Sequence, residues 1–339
     1  MANVFQKPEK YAATALALLQ REIKGAGLFV HKYGVADYVG AKGDKIMIKR
    51  PPILKARDAG FRSRNELVVD DIVQTRIEVA LTKHPYSRVE LSPEEATLDQ
   101  VDYVRDVQAP QVRAIVEDFD DSIAAALAGA TFVHEVDFKE GADGKTGDPR
   151  KVAIAAKAKL DSSYVPASGR YWLVGANVSA AVAAYDKLLA VDAAGIPEAL
   201  RDGVVGRLAG FTIIDWPALD DDESYFVHNS AVALSTVAPV VPRGAAAGAT
   251  VAGQGLAVTQ VWDYQSGTLA DQSTVHAFTG TSLVTDPKVL KDDKAKDTDA
   301  GTPAQEAGDI EVDSDGKPVM EFVRAVKVTF TEETDASGE

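Results

Sequence analysis

Cysteine is absent from all 339 residues. That excludes disulfides, thiolate metal sites and a cysteine nucleophile, and it suits a reducing cytoplasm. No run of about 18 apolar residues occurs, so no membrane-spanning helix is expected. The five histidines, His31, His84, His134, His228 and His276, never fall at HExxH or comparable ligand spacing, and each is expected to be structural. There is no GxSxG elbow and no GxGxxG after a strand. No cluster of arginine and aromatic residues suggests nucleic-acid readout. Positive charge is also short: 36 Lys and Arg stand against 51 Asp and Glu, a formal net charge of -15. Indiscriminate DNA binding over the whole surface is therefore not expected.

Two fragments of chemical motifs are present and both are incomplete. Gly141 to Thr146 reads GADGKT, like the end of a phosphate-binding loop, but Lys139 stands where the first glycine is required. Glu311 to Gly316 reads EVDSDG, like the start of a calcium loop, but Phe322 stands where the bidentate glutamate belongs. A flexible loop explains the first and a β-turn at Ser314 to Lys317 the second. No cofactor and no metal is expected.

What is present is enough chain, with 46% apolar residues, for one large domain or two intertwined ones. Lys7 and Lys10 precede an apolar stretch, Tyr11 to Leu19, but Gln20, Arg21, Glu22 and Lys24 follow without a small-residue cleavage site. The segment reads as an amphipathic helix with Ala12, Leu16, Leu19 and Ile23 on one face. Lys45 to Lys49 alternates polar and apolar, as does Ile72 to Leu81, giving a long hairpin with an irregular loop between. Ser92-Pro93-Glu94-Glu95 is a helix start. Pro110 opens a strong helix with Val112, Ile115, Val116, Phe119, Ile123, Ala126 and Leu127 on one stripe, ended by Gly129. Asp148-Pro149 caps another helix to about Leu160, and Val178 to Leu189 reads as a third. Strands are expected at Tyr171–Val174, Phe211–Asp215, Tyr225–His228, Ala257–Tyr264, Ser273–Phe278 and Val319–Phe330. Residues 286–318, rich in Lys, Asp, Ala and Gly, are expected to be a mobile insertion, and the tail after Thr331 an acidic, frayed end.

Charge is segregated along the chain. Residues 42–64 hold eight bases, Lys42, Lys45, Lys49, Arg50, Lys55, Arg57, Arg62 and Arg64, against Asp44 and Asp58. That segment carries +6; set against -15 for the whole chain, the remainder carries -21. A basic projection on an acidic body can orient identical copies against one another. An unpartnered solvated loop would have the same composition.

The order of these elements resembles the Hong Kong 97-like major capsid proteins of tailed bacteriophages. Three stretches carry the resemblance. Ile46 to Pro52 with Arg57 to Gly60 looks like the extended loop. Thr82 to Leu98, followed by the helix from Pro110, looks like the entry to the spine and the spine helix. Gly195 to Gly203, with Gly210-Phe211 and Pro217, is similar to the apical domain of short-tailed phage coat proteins. Trp216 to Leu219 passes within a few residues to the next strand, which leaves no room for the β-barrel some relatives insert there. The resemblance implies an α+β fold with five parts. These are an N-terminal arm at 1–35, an extended loop at 36–84, a peripheral domain with the spine helix at 85–135, an apical domain at 136–242, and a β-rich peripheral return at 243–339. It also implies self-assembly into hexamers and pentamers around DNA in a virion built in the host cytoplasm. Scaffolding, portal and decoration proteins are further partners it brings with it, and no membrane is involved. The assembly contacts are expected at Lys45, Lys49, Arg50, Arg57, Arg62 and Arg64. A cellular nanocompartment shell shares the fold and stays open, as does, from another class, a soluble α/β enzyme with an unrecognised site.

Overall fold

The computed structural model describes residues 28–29, 31–33, 45–49, 75–95, 103–139, 147–183, 207–253, 256–292, 309–315 and 317–331, with single positions 54, 56, 69 and 72. The expected N-terminal helix, the GADGKT loop, the 195–203 stretch and the C-terminal tail lie outside them.

The strong apolar stripe forms the long helix α1, Ala109–Ala128. Its caps hold only in part as expected: Gly129 closes it, bonding back to Ala125 O at 3.0 Å. At the other end the helix does not begin afresh at Pro110, because a π-helical turn, Val104–Gln108, runs straight into it. Pro110, which has no N–H to give, sits where this wider turn passes into the α-helix. The capping box upstream is as expected: Ser92 N donates to Glu95 Oε2 at 3.0 Å and Glu95 N to Ser92 Oγ at 3.3 Å.

Two sheets pack on α1. The first has four antiparallel strands in the order β11-β12-β13-β4, with β4 at Tyr86–Leu91, β11 at Ala247–Gly253, β12 at Leu256–Gln265 and β13 at Ala270–His276. Leu256, Val258 and Val275 from it meet Val112, Ile115, Phe119, Ile123 and Leu127 of α1 in one core. The second has six strands in the order β5-β17-β9-β6-β8-β7. These are β5 Glu135–Lys139, β6 Arg170–Val174, β7 Arg207–Leu208, β8 Phe211–Asp215, β9 Glu223–His228 and β17 Ala325–Thr331. Its central strands are buried on both faces, which is why they read as apolar runs rather than alternations. Leu173, Tyr225 and Val227 face α1, while Trp172, Val174 and Phe226 face a second core. That second core is closed by α2, Pro149–Ser162, and α3, Ala176–Ala183, through Val152, Ala156, Leu160, Val178 and Val182. Asp148 caps α2 by accepting from Arg150 N at 3.0 Å, as its sequence predicted.

Several boundaries differ from expectation. The Ser273–Phe278 strand is two: β13, and β14 at Phe278–Leu283, where the chain leaves one sheet for another. The Val319–Phe330 strand is also two, β16 at Met320–Glu321 and β17. Helix α3 starts two residues early, at Ala176. The strand expected from Ile72 starts at Arg76. The apical segment shares its sheet with the C-terminal return, since β17 lies between β5 and β9. Within 286–318, expected to be a mobile insertion, the described parts carry strand pairing. β15, Asp286–Pro287, pairs with β16, and bridges join Val289 to Ile310 and Val312 to Pro318. Charge pairing supplies what apolar burial does not: Lys288 Nζ lies 3.0 Å from Glu311 and 3.2 Å from Glu321.

Candidate assembly site

The hairpin is β2, Lys45–Lys49, paired antiparallel with β3, Arg76–Ala80. Strand alternation gives it two unlike faces. Ile46, Ile48, Ile77 and Val79 point inward. Lys45, Met47, Lys49, Arg76 and Glu78 point outward and are exposed. On that outer face Lys45 pairs with Glu78 and the Arg76 guanidinium donates to Met47 Sδ at 3.8 Å. Lys49 stands opposite Arg76 in the register. Like charges opposite one another destabilise an isolated strand pair.

Of the six bases expected to carry the contacts, Lys45 and Lys49 are brought to this one face. Arg50, Arg57, Arg62 and Arg64 lie outside the described residues. Arg76 and Glu78 join the face and were not foreseen. Their signal was the alternation of 76–80 combined with the register, which puts every second residue of both strands on the same side. Leu54, Val69 and Ile72, between the strands, are 58%, 88% and 64% exposed.

The foot of the hairpin is built differently from its shaft. Val79 is fully buried against Ala233 and Val284. Those belong to the three-stranded sheet β1-β10-β14, with β1 at His31–Tyr33 and β10 at Val232–Val237, and to the turn after it. The chain crosses β14 so closely that a Cβ on Gly280 would lie 1.9 Å from Ala80 O. Only glycine leaves room for that crossing. Thr82 N and Lys83 N both donate to Thr279 O, at 3.0 and 2.9 Å, and Thr279 N returns a bond to Lys83 O at 2.9 Å. Ser282 Oγ donates to Glu78 O at 2.8 Å, and Lys83 Nζ to Ser122 Oγ on α1 at 2.8 Å. His84 Nε2 lies 2.9 Å from His276 Nδ1, and the His84 ring packs on Phe278 at 4.6 Å. Burial, then the neighbouring His84, holds His276 below the usual histidine range.

Catalytic alternatives find little to build on. Among the described residues no three of His, Cys, Asp and Glu form a metal cluster, and no helix is long and apolar enough to cross a membrane. His228 Nδ1 lies 2.7 Å from Ser230 Oγ, but Ser230 N also donates to that nitrogen at 3.2 Å and Arg324 donates to Ser230 Oγ at 2.6 Å. A hydroxyl oxygen receiving a guanidinium bond has its lone pair engaged, the reverse of what a nucleophile needs. Asp313 Oδ1 of EVDSDG accepts from Asp315 N at 3.0 Å and Lys317 N at 2.8 Å. Its carboxylate closes the expected turn.

No family model matches the sequence, and no curated protein matches it. Solved structures do. The chain is similar in fold to a structure from Mycobacterium phage Che8, at 15% identity over 90% of each chain with a TM-score of 0.58. It is similar to the capsid structure of the cyanophage P-SCSP1u, at 11% identity over 98% of this chain and 91% of that one, TM-score 0.57. It is also similar to the mature capsid of bacteriophage PhiM1, at 11% identity over 85% and 82%, TM-score 0.51. The mixed helix-and-strand fold expected from the sequence is thus one the chain shares with these phage structures.

Proposed function

We propose that this chain is the major capsid protein of a tailed bacteriophage. It is a structural subunit that assembles into hexamers and pentamers and closes an icosahedral shell around packaged DNA. The observation that carries this reading is that almost the whole chain, 90% and 98% in two cases, superposes on phage structures, one of them a cyanophage capsid. The hairpin supports it independently. Its outer face carries opposed like charges and exposed apolar groups that the subunit itself leaves uncovered, so a neighbouring copy with acidic groups completes it. The acidic remainder of the chain supplies such groups in every copy. Many modest contacts, repeated around each subunit, then add up through multivalency. An acidic body also holds DNA loosely, as a container must if its contents are to leave.

Negative-stain microscopy of the purified protein tests the reading. Closed shells or capsomer-like rings are expected, with DNA in particles taken from infected cells. A monodisperse small oligomer would contradict it, and closed shells holding a protein cargo instead of DNA would move the protein to the nanocompartment class. The shell is held without covalent links. The only asparagines are Asn3, Asn65, Asn177 and Asn229, so nothing after 229 offers the acceptor for a lysine–asparagine bond. Nor does Lys288 offer a ready nucleophile: its ammonium donates to Glu311 and Glu321, which raises its pKa. Particles boiled in detergent should release one band near 36.0 kDa, and a ladder of multimers would refute the non-covalent shell.

A further inference from the structure

Helix α2 ends in a Schellman motif. Val165 N donates to Leu160 O and Tyr164 N to Asp161 O, both at 3.1 Å, and Val165 and Leu160 share one apolar cluster. The residue between cap and contact must be left-handed, and helices ordinarily place glycine there. Here it is Tyr164, at φ 56°. Five residues later the chain is left-handed again, at φ 72°, and uses Gly169. Conformation alone therefore does not call for tyrosine. Burial does not either, since Tyr164 is 93% exposed. Leu269 is also left-handed and exposed, at φ 54° and 63%, but Tyr164 additionally lines a cleft.

Beside the ring opens a cleft of about 1310 Å³, with Val133, Pro166, Val289 and Val323 among its walls. Among the described residues that line it, three bases, Lys288, Lys291 and Arg324, balance three acids, Asp286, Asp292 and Glu321. Most of these charges are already committed: Arg324 holds Asp286 with two bonds of 2.6 and 2.8 Å, and Lys288 reaches Glu321 at 3.2 Å. His134, bonded to Ser163 at 2.8 Å, is held below the usual histidine range by burial and then by Lys159. The cleft is a neutral, partly apolar recess beside an aromatic knob.

We propose that Tyr164 and this cleft are a contact surface for a second copy of the chain, a proposal that rests on the shell reading above. Two observations select a copy over a foreign partner. Each chain carries -15, so copies repel over most of their surface, and a patch whose charges cancel is where they approach without adding to that repulsion. The chain also carries exposed apolar groups at equal stoichiometry: Val69 and Val240 are 88% and 89% exposed.

The test uses the full-length chain and two variants. Tyr164→Gly removes the ring and the left-handed strain together. Its free subunit should melt at or slightly above the wild-type temperature, while the concentration needed for particles rises tenfold or more. Tyr164→Phe should assemble as wild type does. Hydroxyl-radical footprinting of the wild type reads the same contact without a variant, with oxidation of Tyr164 falling at least fivefold from subunit to particle. Tyr164→Gly assembling at the wild-type concentration, or equal oxidation in both states, overturns the inference and leaves the shell reading intact. A wild type that never self-associates overturns both.

Discussion

The two ends of the hairpin follow opposite rules. At its foot every interaction is internal: Val79 is buried, Gly280 admits the Ala80 carbonyl, and Thr279 exchanges backbone bonds with Thr82 and Lys83. Along its shaft, one face is packed while the other presents Lys49 opposite Arg76 and exposed Met47. The foot is closed by contacts within the subunit, while the outer face of the shaft is left exposed. Two-stranded hairpins are marginal in water on their own, so anchoring the inner face holds the outer one in a fixed direction. If the shell reading proposed above holds, the contrast makes stability and assembly separable, residue by residue.

The largest effect should come from the interior, where assembly is irrelevant. Phe226 is fully buried, stacked on Trp172 and edge-on to Phe211, each at 4.6 Å. Phe226→Ala should cost about 3–5 kcal/mol, read as a lower denaturant midpoint of the free subunit. An unchanged midpoint would mean that this core does not hold the sheet. Next comes the foot. Gly280→Ala puts a methyl into the Ala80 carbonyl and should cost about 1–3 kcal/mol. Faster amide exchange should be confined to residues 76–83 and the β14 strand beside them.

Acid offers a milder perturbation of the same foot. His276 titrates below 6.5 in the folded chain because burial and His84 disfavour its charged form. The unfolded chain then binds more protons just below pH 6.5, so this contribution is complete above that pH and is lost as pH falls through it. His276→Gln should flatten that part of the stability profile, and an unaltered profile would show that His276 does not titrate there. The smallest effect is expected on the shaft. Lys45 and Glu78 are each about half exposed, at 48% and 47%, and such pairs contribute about 0–1 kcal/mol. Lys45→Ala should leave subunit unfolding almost unchanged. Lys49→Glu should do the same to the subunit and yet impair assembly, which would separate the two properties directly.

Much of this was legible in the chain. The α1 stripe, the Asp148-Pro149 cap, the Phe211–Asp215 strand and the alternation of Lys45–Lys49 all read correctly, because local periodicity and capping chemistry report on local structure. Where they failed, the cause was tertiary. β10 is buried along its whole length, with Leu234 in the α1 core and Ala233 against Val79, so VALSTV shows no alternation to read. β11, AGATVAG, has no large side chain to signal a strand. The 286–321 ladder is tied by ion pairs between residues far apart in sequence, which composition does not reveal. At the site, the bases were legible but their company was not. That Glu78 sits by Lys45, or Arg76 opposite Lys49, follows from a register that no single strand contains.

Amide exchange at Lys45–Lys49 and Arg76–Ala80, followed by mass spectrometry in free subunits and in assembled particles, tests the central claim most directly. Assembly should slow the exchange of Lys45–Lys49 and Arg76–Glu78 at least tenfold, while Val79, Ala80, Thr82, Lys83 and Thr279 at the foot are protected in both states. Equal exchange in subunit and particle would show that the shaft is complete by itself and that neighbouring copies do not support it.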